Sequence, residues 1–145
     1  IWKDRDWDYY NTLSILKFKL QQQSKYIGSK KMFIGWECVV RDMNLAVKLI
    51  DIISDDKYSD EMHEYYESKF EFIPTDETEK WSSVETTEIY NNLQAYFDKY
   101  PKIYAKYKDK GDKYYVAILM SGHLQEKAKR ILFKMLDYKL LNWWN

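Results

Sequence analysis

The stretch from Trp36 to Ser54 constrains the fold most, because its apolar residues recur with the period of an α-helix. The steps between them alternate between four and three residues, which places one apolar stripe along one side of a helix. The residues of the stripe are Trp36, Val40, Met43, Val47 and Ile50, widened by Val39, Ala46 and Ile53. The segment therefore predicts an amphipathic helix that buries one face.

The segment before it predicts another helix, from Asp6 or Asp8 to Tyr26. Its apolar residues follow the same spacing, at Tyr9, Leu13, Leu16 and Leu20. The aspartates suit the positive end of a helix, and Gly28 is expected to end it. Because the link to Trp36 is short, the two helices are expected to form an antiparallel hairpin.

The centre of the chain carries weaker signals. Ser59 followed by two acidic residues predicts a short helix to about Phe70. Residues 71–83 predict a long loop, although the first of them alternate between apolar and polar and leave a short extended piece open. Ser82 and Glu85 have the spacing of a capping box, which predicts that a helix begins there.

The remainder predicts helices separated by Pro101. A proline in a helix interior removes a hydrogen bond, so we expect a break there, with Pro101 beginning a new short helix. A last helix is expected from Lys113 to Trp144, with Gly122 as a point where it could split. With only four Gly and two Pro in the chain, we predict an all-α fold: one domain over residues 1–145, a bundle of five or six helices with a long C-terminal helix.

Charge and cysteine content exclude several classes of protein. The 23 basic and 23 acidic side chains cancel, so we expect no nucleic-acid polymer and no acidic membrane as a partner. No apolar run is long enough to span a bilayer, and no leader peptide is recognisable. Cys38 is the only cysteine. It excludes a disulfide within the chain, and its helical position predicts a buried small side chain.

The sequence contains no recognisable catalytic or cofactor-binding motif. Its four glycines form neither a P-loop nor a dinucleotide fingerprint, and a single cysteine excludes a Cys-x-x-Cys zinc site. His63 and Glu67 lie one helical turn apart, but two ligands do not define a metal site. We therefore expect no metal, no cofactor and no catalytic residues, and we predict that the protein is not an enzyme.

The last helix carries the most suggestive polar pattern, four basic side chains separated by four, three and four residues. They are His123, Lys127, Arg130 and Lys134. This spacing places them on one helix face, where such cations can hold a phosphate or another anion. With the nearby ring of Trp143, they are the predicted ligand-binding residues. The alternative is a solvated helix face paired with Glu126 and Asp137.

Both ends of the chain also carry a recognisable pattern. The start is Asp6-Trp7-Asp8-Tyr9-Tyr10, followed by Leu16-Lys17-Phe18-Lys19-Leu20, and the end is His123-x-x-x-Lys127-Ala128-x-Arg130-x-Leu132-Phe133-Lys134 and then Trp143-Trp144-Asn145. Together with the helix from Trp36 to Asp51, these motifs resemble a group of short proteins encoded by tailed bacteriophages. The resemblance covers about half of the chain, and Asn145 stands where such proteins usually have Asp.

The resemblance implies a phage accessory protein in the cytoplasm of an infected bacterial host, and it transfers no activity to any residue. One hypothesis is a non-enzymatic binder of a small anionic ligand, such as a nucleotide-type signal of host defence that it would sequester. The alternative is a protein–protein interaction module that inhibits a host protein or forms a structural homo-oligomer. A small-ligand binder predicts a concave pocket with aromatic rings and the basic residues in its wall, whereas an interaction module predicts an exposed aromatic surface.

Overall fold

The computed structural model describes residues 9–74 and 82–143, which form mostly helices. In chain order the elements are α1 (Tyr9–Lys30), α2 (Trp36–Ser54), α3 (Lys57–His63), β1 (Tyr66–Pro74), β2 (Ser82–Asn91), α4 (Leu93–Lys99), α5 (Pro101–Tyr107) and α6 (Lys113–Lys139), followed by a 3-10 turn over Leu141–Trp143. The six α-helices of the described residues, with the long α6 last, confirm the all-α prediction and add one small β-hairpin.

The described residues divide into two compact units. The first is formed by the described parts of residues 1–57 and 124–145, and the second by those of residues 58–123. The helix α6 supplies residues to both units, with the division after His123. The expectation of a single domain over 1–145 stays a prediction.

The core of the first unit lies along α1 and α2, which pack against each other as predicted for the first two helices. The buried apolar residues are Leu13, Leu20 and Ile27 of α1, Met43, Ala46, Val47, Leu49, Ile50 and Ile53 of α2, and Leu124, Ala128 and Leu132 of α6. A hydrogen bond of 3.1 Å from Ser24 Oγ to Asn44 Oδ1 adds a polar contact inside this helix pair.

Two polar contacts connect α6 to α2 within the first unit. Lys139 Nζ lies 3.1 Å from Asp42 Oδ2, and Gln125 Nε2 donates a hydrogen bond of 3.0 Å to the carbonyl of Ile53. These contacts sit near the two ends of the shared surface, so they fix the position of α6 along α2.

The core of the second unit is rich in aromatic residues. Its buried members are Met62, Tyr66, Leu93, Tyr96, Phe97, Val116, Ala117 and Met120, and five further tyrosines pack around them. Phe97 stacks on Tyr104 with ring centroids 4.4 Å apart and an interplanar angle of 11°. Eight aromatic side chains are therefore part of this core.

The strands β1 and β2 form an antiparallel hairpin that corrects two sequence predictions. The long loop predicted over 71–83 is wrong at both ends, since 71–74 belong to β1 and 82–83 to β2, while 75–81 lie outside the described residues. The helix predicted to begin at Ser82 is also wrong. This segment is rich in β-branched residues, which favour strands, and its backbone pairs with β1, a distant partner that a local capping signal does not report.

Other element boundaries differ in smaller ways. The helix α3 ends at His63 rather than near Phe70, because the chain enters β1 at Tyr66. The helix α1 continues past Gly28 and ends at Lys30, followed by Lys31 with a left-handed φ of 48°. The predicted N-terminal residues of α1, Asp6 and Asp8, lie outside the described residues.

Of the remaining predictions about the helices, some are confirmed and others are not. The bounds of α2 are as predicted, and the break before Pro101 is confirmed, with Pro101 as the first residue of α5. Gly122 does not split α6, which is continuous from Lys113 to Lys139 and shorter at its end than predicted.

Candidate functional site

The predicted basic residues of α6 differ in their surroundings. Lys127, Arg130 and Lys134 are exposed side chains of the first unit. His123 belongs to the second unit, where it is half-buried. Its Nδ1 lies 3.1 Å from the hydroxyl of Tyr107, and the two rings meet edge to face. His123 is thus held by a packing contact in the other unit.

Trp143, the fifth predicted site residue, is buried in the first unit, with 4% of its surface exposed. Its indole Nε1 finds no hydrogen-bond partner among the described residues. The ring of Trp143 therefore packs on the body of the first unit. A ring with so little exposed surface offers little contact to a ligand.

Lys127, Arg130 and Lys134 form a group that we call the basic stripe. None of the three makes an ion pair with a described residue, whereas the neighbouring Lys129 lies 3.1 Å from Glu126. The sequence alternative, in which the stripe is paired with Glu126, is therefore wrong for Glu126. Three unpaired cations on one helix face leave their full charge available to an anionic partner.

Exposed apolar side chains accompany the basic stripe. Ile131, Tyr138 and Leu141 are all exposed, and Lys127, Ile131, Lys134 and Tyr138 follow steps of four, three and four. Such spacing places them on one side of the helix. This side of α6 therefore presents cations and apolar surface together, on the convex outside of a helix.

An apolar pocket lies beside α6 in the first unit. It has a volume of about 380 Å³ and is lined by Tyr9, Thr12, Leu13 and Leu16 of α1, Ile53 of α2, and Lys129 and Phe133 of α6. Its volume falls in the range of small-molecule sites. Tyr9 and a lysine are in its wall, as expected for a small-ligand site, but none of His123, Lys127, Arg130 and Lys134 lines it.

The sequence pattern did not predict Lys129 and Phe133 as site residues, because neither follows the four-three-four spacing of the basic residues. They are four residues apart, so they point to the same side of α6, about a quarter of a turn from Arg130. Phe133 is 61% exposed, and an apolar residue off the buried stripe of a helix is a signal that could have indicated this pocket.

Cys38 and the acidic residues do not form a metal-binding centre among the described residues. The thiol of Cys38 is exposed, so the prediction that it is buried is wrong: it lies on the outer side of α2, away from Met43 and Ala46. In the described ranges, no three side chains of His, Cys, Asp or Glu come together in a way that would hold a metal ion.

Glu61 is the centre of a polar cluster in the tyrosine-rich core of the second unit. Both of its carboxylate oxygens accept from the hydroxyl of Tyr100, at 2.9 Å, and Lys99 Nζ lies 2.6 Å from one of them. The hydroxyl of Tyr96 is fully buried and finds no partner in the described residues. Burial, with the charge of Glu61, raises the pKa of Tyr96 and of Tyr100, and the hydrogen bond to Glu61 contributes for Tyr100.

Removal of each hydroxyl in turn should distinguish the hydrogen-bonded hydroxyl of Tyr100 from the buried hydroxyl of Tyr96. Tyr100→Phe is expected to lower the free energy of unfolding by about 1–2 kcal/mol, because Glu61 loses a donor. Tyr96→Phe should be neutral or stabilising by up to about 1 kcal/mol, because it removes a buried polar atom that has no partner. Chemical unfolding followed by circular dichroism measures both free energies of unfolding. A lower free energy of unfolding in Tyr96→Phe would contradict the conclusion that the Tyr96 hydroxyl has no hydrogen-bond partner in the described residues.

The same pair predicts a pH dependence. A tyrosine whose pKa is raised in the folded state keeps its proton where the unfolded chain releases it. Ionisation of such a tyrosine therefore has no effect on the free energy of unfolding below about pH 10 and lowers it as the pH rises above that value. The stability of Tyr96→Phe should fall less steeply over this alkaline range than that of the unmodified protein.

Comparisons of the chain with protein-family models, with curated proteins and with solved structures give no match. Within residues 9–74 and 82–143, none of the helices has the length and apolar content that a bilayer crossing requires. The surfaces of the chain itself are therefore the basis for inferring its function.

Proposed function

We propose that this protein is a non-enzymatic interaction module that binds an acidic surface of a partner protein through the basic stripe of α6. The observation that carries the proposal is the set of three unpaired cations, Lys127, Arg130 and Lys134, beside exposed Ile131 and Tyr138. A protein partner with acidic and apolar side chains complements both components of this surface.

The shape of the surface favours a protein over a small ligand for this stripe. Small-molecule sites are concave and enclose most of their ligand. The basic stripe lies on the outside of a helix, where a small anion would touch one side only and stay hydrated. A partner protein can cover all three cations at once. The resemblance to phage-encoded proteins makes a protein of the bacterial host, in its cytoplasm, the partner that we propose.

Charge reversal of the stripe tests this function. The triple variant Lys127→Glu, Arg130→Glu, Lys134→Glu is expected to weaken partner binding by about 100-fold or more, because three attractive contacts become repulsive. The partner is first captured from infected bacteria and identified by mass spectrometry. Its affinity for the purified variants is then measured by calorimetry at two salt concentrations, because a binding surface made of exposed charges weakens with salt.

A matched control uses an exposed lysine of α1. Lys19→Glu changes the net charge in the same direction, and its side chain makes no ion pair with a described residue, so partner binding should be unchanged. A partner that binds the triple variant as tightly as the unmodified protein would contradict the proposal. A loss of affinity in Lys19→Glu in proportion to its smaller change of charge would show that net charge, and not the basic stripe, determines binding.

A small anionic ligand is the second candidate function, and the pocket of Tyr9, Lys129 and Phe133 favours it. Rings on its sides and one amine at its edge suit an amphipathic anion such as a nucleotide-type signal, whose sequestration would counter host defence. Lys129 already contacts Glu126, so a bound anion would compete with that carboxylate.

The triple variant also separates the two candidates, because none of its three residues lines this pocket. Native mass spectrometry of gently purified protein would detect a co-purified small molecule in both forms if the pocket is the site. Retention of such a ligand by the triple variant, together with unchanged partner binding, would favour the pocket.

A further inference from the structure

The hairpin of β1 and β2 has two outer edges that no described strand covers. Within residues 9–74 and 82–143 the sheet consists of these two strands, and beyond Tyr66 the described side chains are exposed or half-buried on both faces. Isolated two-stranded hairpins are marginally stable, and a long edge strand is a template for pairing with another chain. The nine residues of β1 are long enough for such pairing.

Residues of opposite charge flank Phe70 in β1. Lys69 precedes it and Glu71 follows it, and within one chain their charged groups lie 2.6 Å apart. On the other strand, Glu85 is directly opposite Glu71. Like charges in opposed positions destabilise a hairpin, so Glu71 has an unfavourable neighbour on its β2 side.

A second copy of β1 matches this arrangement in one antiparallel register. Opposed residues in an antiparallel pair have their side chains on the same face of the sheet, so a pair related by a two-fold axis is centred on a residue. A two-fold axis at Lys69 would place this residue opposite Lys69 of the second copy. An axis at Glu71 would do the same for Glu71, so both registers oppose like charges. A centre at Phe70 opposes Lys69 to Glu71 of the second copy, twice, and pairs Ser68 with Phe72 within the regular part of β1.

The remaining centres complement the strand less well. A centre at Phe72 forms no ion pair within the strand. A centre at Ser68 also opposes Glu67 to Lys69 of the second copy, but it falls on the irregular pairing between Glu67 and Ser68 and beside buried Tyr66. The centre at Phe70 also opposes the two Phe70 rings, and aromatic pairs stabilise opposed strands.

We propose that β1 is a dimerisation edge through which two copies of this chain form a four-stranded sheet in the order β2–β1–β1–β2, with the two-fold axis at Phe70. Each Lys69 lies opposite Glu71 of the other copy and offsets the repulsion from Glu85. Phe70 and Phe72 share one face with Val84, because Phe72 is opposite Val84 in the hairpin, so the dimer brings the phenylalanines of both copies onto the same face.

Sedimentation equilibrium of the full chain over a range of concentrations tests this dimer. The unmodified protein is expected at twice the 17.8 kDa of one chain. Glu71→Lys opposes lysines across the dimer edge twice, while it gives Glu85 an opposite charge within the hairpin. It should weaken the dimer at least about tenfold without destabilising the hairpin.

Two further variants make the result specific. The double variant Lys69→Glu, Glu71→Lys exchanges the charges and should restore the dimer. Glu85→Lys changes the charge of the chain by the same amount from β2 and should leave the dimer in place. A monomer at every concentration, a dimer that Glu71→Lys does not weaken, or a double variant that fails to dimerise would each overturn the proposal.

Discussion

Phe97→Ala is expected to lower the free energy of unfolding by about 3–5 kcal/mol, the usual loss for a large buried aromatic residue. The side chain is 1% exposed and belongs to the core of the second unit with Leu93, Val116 and Met120. The substitution leaves a cavity and removes the stacked contact with Tyr104. Urea unfolding followed by near-ultraviolet circular dichroism measures the loss.

Phe18→Ala is the matched control for this substitution. Phe18 is an exposed residue of α1, so truncating it should change stability by no more than about 0.5 kcal/mol. If Phe97→Ala were as mild as Phe18→Ala, the aromatic cluster would not be the core of the second unit.

Leu20→Ala is expected to destabilise the first unit by about 2–5 kcal/mol. Leu20 is fully buried near the middle of α1, on the side that packs against α2. Because alanine favours helix formation, the loss is due to packing and not to helix propensity. Thermal and chemical unfolding of the variant measure it.

Ile15→Ala on the same helix provides the comparison. Ile15 lies on the outer side of α1 and is 58% exposed, so its truncation removes little buried surface and should cost less than about 1 kcal/mol. Similar losses for Leu20→Ala and Ile15→Ala would mean that α1 is not buried on the side that its spacing predicts.

The two candidate sites in the first unit differ in how far the sequence could predict them. The basic stripe was visible as a spacing, because residues on one helix bear a fixed relation to one another. The pocket combines Tyr9 with Phe133, more than a hundred residues apart, so only the packing of α1 beside α6 brings them together. His123 is a case in which the spacing misleads. The spacing places it with the basic stripe, but in the folded chain its ring contacts Tyr107 of the second unit.

The sequence by itself determined the helical class of the protein, the bounds of α2, the pairing of the first two helices and the break at Pro101. Each of these follows from local periodicity or from the geometry of proline, which act over a few residues. Tertiary structure alone decided that Ser82–Asn91 is a strand, because its backbone hydrogen bonds go to β1. It also decided which aromatic rings are core, because burial depends on distant residues that local spacing does not specify.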